Sequence, residues 1–327
     1  MRWLALLPAL LLSAEAQTWS LYVCMATTKD YVVGAKLLPS GVFRRAGASD
    51  WRQSGHPNPF TFSLDYDRRD PSKLYLAAGN GLIALTPDQP AWRVLTSGDV
   101  TEMRDVAVSP DGAIYYAYVR GVRVSRDAGR TWSDIGATLP NRYTEVIRVD
   151  RDHRGVLLAG TVDGIWRSDN DGASWARAGV AGFSIMDIEQ SPHDPCHWMV
   201  TTERGGIFSS GDCGKTFEAL GRLAVDRVLY DVAFDPTTPG RVAVAGWGLG
   251  VAISDDNGKT WTKRNATLPS DEVWSVAFDP GKKGRLFAGV HEQAMYVSED
   301  GGLTWKPDGL EGTVITRMKF VPSEAGK

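Results

Sequence analysis

An eight-residue box recurs along this chain and constrains its architecture more than any other feature. It reads Ser125-Arg-Asp127-Ala-Gly129-Arg-Thr131-Trp132, Ser254-Asp-Asp256-Asn-Gly258-Lys-Thr260-Trp261 and Ser298-Glu-Asp300-Gly-Gly302-Leu-Thr304-Trp305. Two looser copies lie between them, Ser168-Asp-Asn170-Asp-Gly172-Ala-Ser174-Trp175 and Ser210-Gly-Asp212-Cys-Gly214-Lys-Thr216-Phe217. The closing aromatics Trp132, Trp175, Phe217, Trp261 and Trp305 return every 42 to 44 residues. Extending that period backwards lands near Trp92 and Trp51, where the box has decayed. The chain therefore holds seven repeats, and a period of this length marks a repeat architecture.

Each repeat carries the same internal order. An alternating apolar run such as "VWSVAFDP" is followed by a second ("RLFAGV"), by a third leading into the box ("AMYVS"), and by a short fourth after the tryptophan. Short runs rich in Val, Phe, Tyr and Ile, punctuated by Gly, Pro and Asp, read as strands. Four short strands per repeat predict an all-β, seven-bladed propeller. The last run, "VITRMKFVP" (Val314 to Pro322), looks like a first strand with no successors, while "SLYVCMATT" (Ser20 to Thr28) looks like a second strand with no predecessor. The C-terminal strand is therefore expected to complete the N-terminal blade and remove the edges of an unfinished sheet.

The Ser-x-Asp-x-Gly-x-Thr-Trp signature resembles the Asp-box, or BNR, repeat of sialidase-like, sortilin-type and xyloglucanase-type propellers. Five of the seven repeats match it. In that fold the box occupies the turn between the third and fourth strands. The resemblance implies structural roles for Asp127, Asn170, Asp212, Asp256 and Asp300, whose side chains bond local backbone, and for Trp132, Trp175, Phe217, Trp261 and Trp305, which pack between sheets. A calcium-loop reading fails on its own terms, because the twelfth position counted from Asp169 or Asp255 is Val180 or Ala266 instead of Glu. No metal and no cofactor are expected.

Function is then expected on the opposite face, where second-to-third loops and blade-to-blade connections vary from repeat to repeat. The loops offer Asn80, Arg120, Asp163, Glu203, Arg204, Trp247, His291 and Glu292. The connections add His56, Arg142, Tyr143, Glu145, Phe183, Asp226, Arg227, Tyr230, Asp271, Glu272 and Trp274. Rings that stack on apolar faces, beside charged groups that hold polar ones, suit a carbohydrate, a peptide or a protein surface. Ligand-binding candidates are Arg120, Arg142, Tyr143, Glu203, Arg204, Tyr230, Trp247, Trp274 and His291. An insertion from Lys29 to Ser40 is expected either to project over the same mouth as a partial lid or docking edge or to plug the ring as a hairpin.

The leading expectation is a non-catalytic binding propeller, for which sortilin-type domains and lumenal photosystem II assembly factors are the similar cases. The alternative is a glycoside hydrolase, endoglucanase-like or sialidase-like, drawing on Asp226, Asp271, Glu272 and Glu292. Its two carboxyl groups must face each other across a glycosidic bond. Against a sialidase, "FRRAG" (Phe43 to Gly47) stands where that family has an Arg-Ile-Pro motif, and that family has six blades. A polysaccharide lyase, with a base such as His56, His291 or Tyr143, ranks third.

The first residues read as a cleaved signal peptide over 1 to 16, with an apolar stretch from Leu4 to Leu12 and Ala14-Glu15-Ala16 at its end. The mature product, residues 17 to 327, is expected to be one propeller domain, monomeric and either secreted or periplasmic. No later segment is long and apolar enough for a membrane span. A formal net charge of −3 gives no footprint for nucleic acid. Export permits a disulfide. Because "HDPCHW" (His193 to Trp198) and the box holding Cys213 fall on one face of one blade, Cys196 and Cys213 are expected to pair in preference to a zinc site, leaving Cys24 buried. "NAT" (Asn265 to Thr267) fits an N-glycosylation acceptor.

Overall fold

The computed structural model describes residues 17–29, 40–55, 57, 61–87, 89, 91–140, 142–221, 223, 224 and 226–323. The expected signal segment, most of the Lys29 to Ser40 insertion and His56 lie outside the described residues. The described strands form seven four-stranded antiparallel sheets. Their innermost strands touch in succession around a ring: Thr61–Asp67, Met103–Val108, Thr144–Val149, Ile185–Gln190, Leu229–Phe234, Val273–Phe278 and Thr313–Ser323, which closes back on the first. The fold is a seven-bladed β-propeller.

Closure is made by the tail. Thr313–Ser323 pairs antiparallel with Thr18–Thr27, from Thr18 opposite Ser323 to Thr27 opposite Thr313, and so becomes the inner strand of the first blade. A second contact seals the same seam on the outside. Asp308, only 3% exposed, holds Arg45 through two hydrogen bonds of 2.6 and 2.8 Å, and its carbonyl accepts the indole N–H of Trp51 at 2.5 Å. Among the described residues no helix is long and apolar enough to cross a membrane.

The box builds a compact turn. Its serine hydroxyl donates to the acidic or amide side chain at 2.7 to 2.9 Å and accepts the glycine N–H at the same range. The threonine hydroxyl donates to the second carboxylate oxygen in the boxes of Asp127, Asp212, Asp256 and Asp300 at 2.6 to 2.7 Å. Two consecutive residues sit in left-handed conformation, as at Ala128 (φ 59) and Gly129 (φ 81), and a Cβ on Gly129 would come within 2.7 Å of Leu95. In three boxes the closing indole bonds to the preceding blade. Trp132 donates to the Leu95 carbonyl, Trp175 to Ile135 and Trp305 to Arg264, at 2.7 to 3.0 Å.

Trp51 makes the equivalent bond to Asp308, so the first blade keeps the inter-blade contact although its box has decayed. Trp92 stands in register with Trp132 but is 42% exposed. The core lies between blades. One cluster joins Leu82 of the second blade to Met103, Ile114 and Tyr116 of the third, with Trp132 packed on it.

Candidate functional site

All seven inner strands share an irregularity near their entry, marked in the sequence only by a break in the period-two pattern. Pairing slips by one residue between Thr61 and Ser63, Met103 and Asp105, Thr144 and Val146, Ile185 and Asp187, Leu229 and Asp231, and Val273 and Ser275. The tail strand slips likewise, skipping Thr316 between Ile315 and Arg317. Each bulge presents one extra residue, giving the ring Phe62, Arg104, Glu145, Met186, Tyr230, Trp274 and Thr316. Bulges re-aim side chains, often beside binding sites. Arg104 pairs with Glu145 at 2.5 Å and lies over the Phe62 ring at 5.2 Å, so three consecutive blades are joined at this level.

Across the ring, the bulge residues of the sixth and seventh blades form an aromatic wall. Tyr230 and Trp274 stack with centroids 4.5 Å apart and planes 15° from parallel. Trp274 stacks in turn on His291 at 5.7 Å, and Trp247 meets His291 edge-on at 5.1 Å. The backbone fixes these positions, since Trp247 N–H donates to the Val228 carbonyl and His291 N–H to that of Glu272. Each second-to-third loop is thereby pinned to the entry of its own first strand. Trp247 remains 38% exposed.

Carboxylates flank the wall. Burial, with Glu203 and Glu272 close by, pushes the Tyr230 phenol above its ordinary value. Glu272 pairs by backbone with Trp247, and Glu292 follows His291 with a left-handed backbone (φ 52). Asp271 accepts the Asn265 amide at 2.8 Å. Asn265 also donates to the Leu249 carbonyl and accepts Val251 N–H, so the amide of the Asn-Ala-Thr motif is engaged in local bonds. Asp226 and Arg204 are exposed, Arg204 with φ 63.

The other sequence candidates lie apart from this wall. Arg120 is exposed on its loop, Arg142 is tied to Asp134 at 2.6 Å, and Tyr143 sits 6.0 Å from the Arg104 guanidinium. Asp163 holds Arg177 and the Gly182 N–H. Sequence reasoning missed Phe62, Arg104, Met186 and Thr316. The one signal for them was the broken alternation at the start of each first strand.

Below the bulge ring the channel is filled by charge. Asp105, Asp187 and Asp231 share one level with Arg317, and Asp65, Arg148, Glu189 and Lys319 occupy the next. Arg148 pairs with Asp105 and with Asp187 (2.7 Å), Arg317 with Asp187 (2.9 Å) and Asp231 (3.2 Å), and Arg68 with Asp65 (2.9 Å). The carboxylates also accept inner-strand N–H groups of the following blade: Asp65 from Val108, Asp105 from Ile147, Asp187 from Val232 and Asp231 from Val276. These acceptors satisfy N–H groups on edges that would otherwise face the channel unpaired.

Burial, offset in part by Arg317 and reinforced by neighbouring Asp187, raises Asp231 well above the usual carboxylate range. Against the same burial, Arg317 and Arg148 hold Asp187 low. On the box side the channel opens into a cavity of about 300 Å³, lined among others by Arg68, Glu189, Asp231 and Lys319.

On the box face, Cys196 and Cys213 form a disulfide. His193 is turned to the Asp235 carbonyl (2.9 Å), and His197 to Ser209 (3.2 Å) and the Phe234 ring.

Comparison with known proteins agrees with this architecture. The BNR/Asp-box repeat model matches residues 252–263. No curated protein matches the sequence significantly. Among solved structures, the chain is similar to a GH74 xyloglucanase from Xanthomonas campestris (TM-score 0.64, 19% identity, 76% of this chain and 45% of that one). It is also similar to a GH74 enzyme from Niastella koreensis (TM-score 0.69, 17% identity, 83% and 51%). A third likeness is to YCF48 bound to D1 peptide (TM-score 0.60, 17% identity, 81% and 92%). The chain thus spans about half the length of the GH74 chains it matches. It is a seven-bladed β-propeller built on Asp-box repeats.

Proposed function

We propose that this chain is an exported, non-catalytic binding propeller. Its ligand is a protein, a peptide or a glycan held at the channel mouth opposite the boxes. One observation carries this reading: Tyr230, Trp247, Trp274 and His291, from four separate segments, converge into a single aromatic wall with carboxylates at its edge. Such rings stack on the C–H faces of sugars or on peptide side chains, and the flanking Glu203 and Glu272 accept hydroxyl or ammonium hydrogens.

The polar boxes, in contrast, have their side chains consumed by internal bonds. The buried Asp187 and Asp231, whose acidities diverge, are clamped by Arg148 and Arg317 within the channel, a setting suited to holding the ring and not to reaching a polymer. The similarity to YCF48 bound to D1 peptide, across 92% of that chain, supports a single propeller acting as a binder.

The hydrolase reading keeps one observation in its favour, the fold shared with GH74 enzymes. Incubating the purified protein with plant and bacterial polysaccharides separates the two readings. Retention on a polysaccharide or peptide without new reducing ends supports binding, and new reducing ends overturn it.

A further inference from the structure

Loops of two neighbouring blades bring three metal-ligating side chains together on the box face. Cys196 belongs to the first-to-second-strand loop of the fifth blade and Cys213 to the box of that blade. His153 comes from the corresponding loop of the fourth blade. A ring nitrogen of His153 and the two sulfurs all lie within 4.8 Å of one another, and all three residues are half-buried. The histidines adjacent to Cys196 in sequence take no part, because His193 and His197 are engaged elsewhere.

The position of His153 is set by a buried carboxylate. Its Nδ1 lies 3.0 Å from Asp150 Oδ2, and the Asp150 side chain is fully buried. Asp150 also accepts N–H groups from Asp152 (2.9 Å), His153 (3.0 Å) and the Gln190 side chain (3.0 Å). A carboxylate surrounded by donors accepts from Nδ1 as well, which places the imidazole proton on Nδ1 and leaves Nε2 with its lone pair. A carboxylate behind a histidine in this way is the arrangement that orients ligands at zinc sites.

We propose that His153, Cys196 and Cys213 form a thiol-gated site for a thiophilic divalent cation such as zinc, closed while the disulfide stands and opened by its reduction. A dithiol opens it through two thiol–disulfide exchanges, becoming a disulfide itself and leaving two thiols on the protein. Metal binding then releases both thiol protons as two sulfur–metal bonds and one nitrogen–metal bond form. Two thiolates and one imidazole fill three tetrahedral positions and leave the fourth for a water or another ligand. The disulfide staples the fifth blade to itself, whereas the metal would also tie it to the fourth.

The test uses the whole chain. The disulfide is reduced with a water-soluble phosphine, which leaves as its oxide after taking up the oxygen of water. The reagent is removed without air, and the protein is titrated with Co²⁺ and then Zn²⁺. The expected result is one equivalent of cobalt with a thiolate-to-cobalt charge-transfer band, displaced by zinc, and none in the oxidised protein.

Because the His153 side chain is 43% exposed, His153→Ala should keep the sheet spectrum while weakening zinc at least about tenfold. Cys213→Ser should abolish the two-thiolate band. The proposal is overturned if the reduced protein shows no such band, if His153→Ala binds zinc as tightly as the parent, or if reduction alone destroys the sheet spectrum.

Discussion

Tyr230 and Trp274 stack across the boundary between the sixth and seventh blades with their centroids 4.5 Å apart, each presented by a bulge in its inner strand. Neither aromatic is needed to complete its own sheet. The pair extends through His291 to Trp247 as a cluster of four rings.

Truncating the wall should separate binding from folding. Trp247 is 38% exposed, so Trp247→Ala should change stability by about 1 kcal/mol or less. Loss of an aromatic anchor costs about 2 kcal/mol or more of binding, which is more than tenfold in affinity. Thermal unfolding and titration calorimetry with a retained peptide or oligosaccharide measure the two quantities.

The two channel aspartates should respond unequally to the same substitution. Asp231 is held high by burial with Asp187 beside it, so Asp231→Asn removes a charge that burial and Asp187 both disfavour, and the amide oxygen still accepts Val276 N–H. A change within about 1 kcal/mol is expected. Asp187→Asn removes the carboxylate shared by Arg148 and Arg317 and should cost about 3 kcal/mol. Denaturant unfolding of both variants measures the difference, and equal losses would refute this division of roles.

The boxes make the ring acid-sensitive in a defined window. Thr131 bonds hold Asp127 down to about 2, and Thr260 and Thr304 do the same for Asp256 and Asp300. At Asp212 burial opposes the shift, but the bonds from Thr216 and Ser210 bring it to about 2 as well. An unfolded aspartate titrates near about 3.9. Because the folded values are depressed, the stability these groups contribute is complete above about pH 4 and is lost as pH falls toward 2. Asn170 already builds the same turn with an amide, its oxygen accepting Ser174 N–H. Replacing the four aspartates by asparagine should therefore flatten the acid limb of a melting-temperature profile, with the loss at pH 7 confined to the charge-assisted bonds.

The seam between the first and last blades should be the most fragile joint. Asp308→Ala strips Arg45 of its bidentate partner and Ser49 N–H of its acceptor. A half-buried guanidinium left unpaired costs about 3 kcal/mol. Limited proteolysis should then cut first near residues 45–51, ahead of the other boxes.

The repeat made the architecture legible because each box is a local device. Ser254, Asp256, Gly258 and Thr260 satisfy one another within a few residues, so their spacing declares the turn. The missing strands at the two ends likewise declared the closure, and the back-extrapolated period landed on Trp51, which keeps the indole bond. The channel network was not legible. Arg317 meets Asp231 across 86 residues, and only the closed ring places them together. The bulges hid as well, because a single extra residue interrupts alternation without changing composition. The same holds for His153, whose ring nitrogen comes within 4.8 Å of the cysteine sulfurs from another blade.

The mouth opposite the boxes is the proposed ligand-binding face. The most direct measurement probes an array of polysaccharides and tiled peptides with the parent chain, with a Trp247→Ala/Trp274→Ala variant, and with Asp256→Asn. A ligand should be held by the parent and by Asp256→Asn, and bound at least about tenfold more weakly by the double variant, whose sheet spectrum is intact. Binding that survives loss of both tryptophans, or that disappears with the box substitution alone, would contradict that assignment.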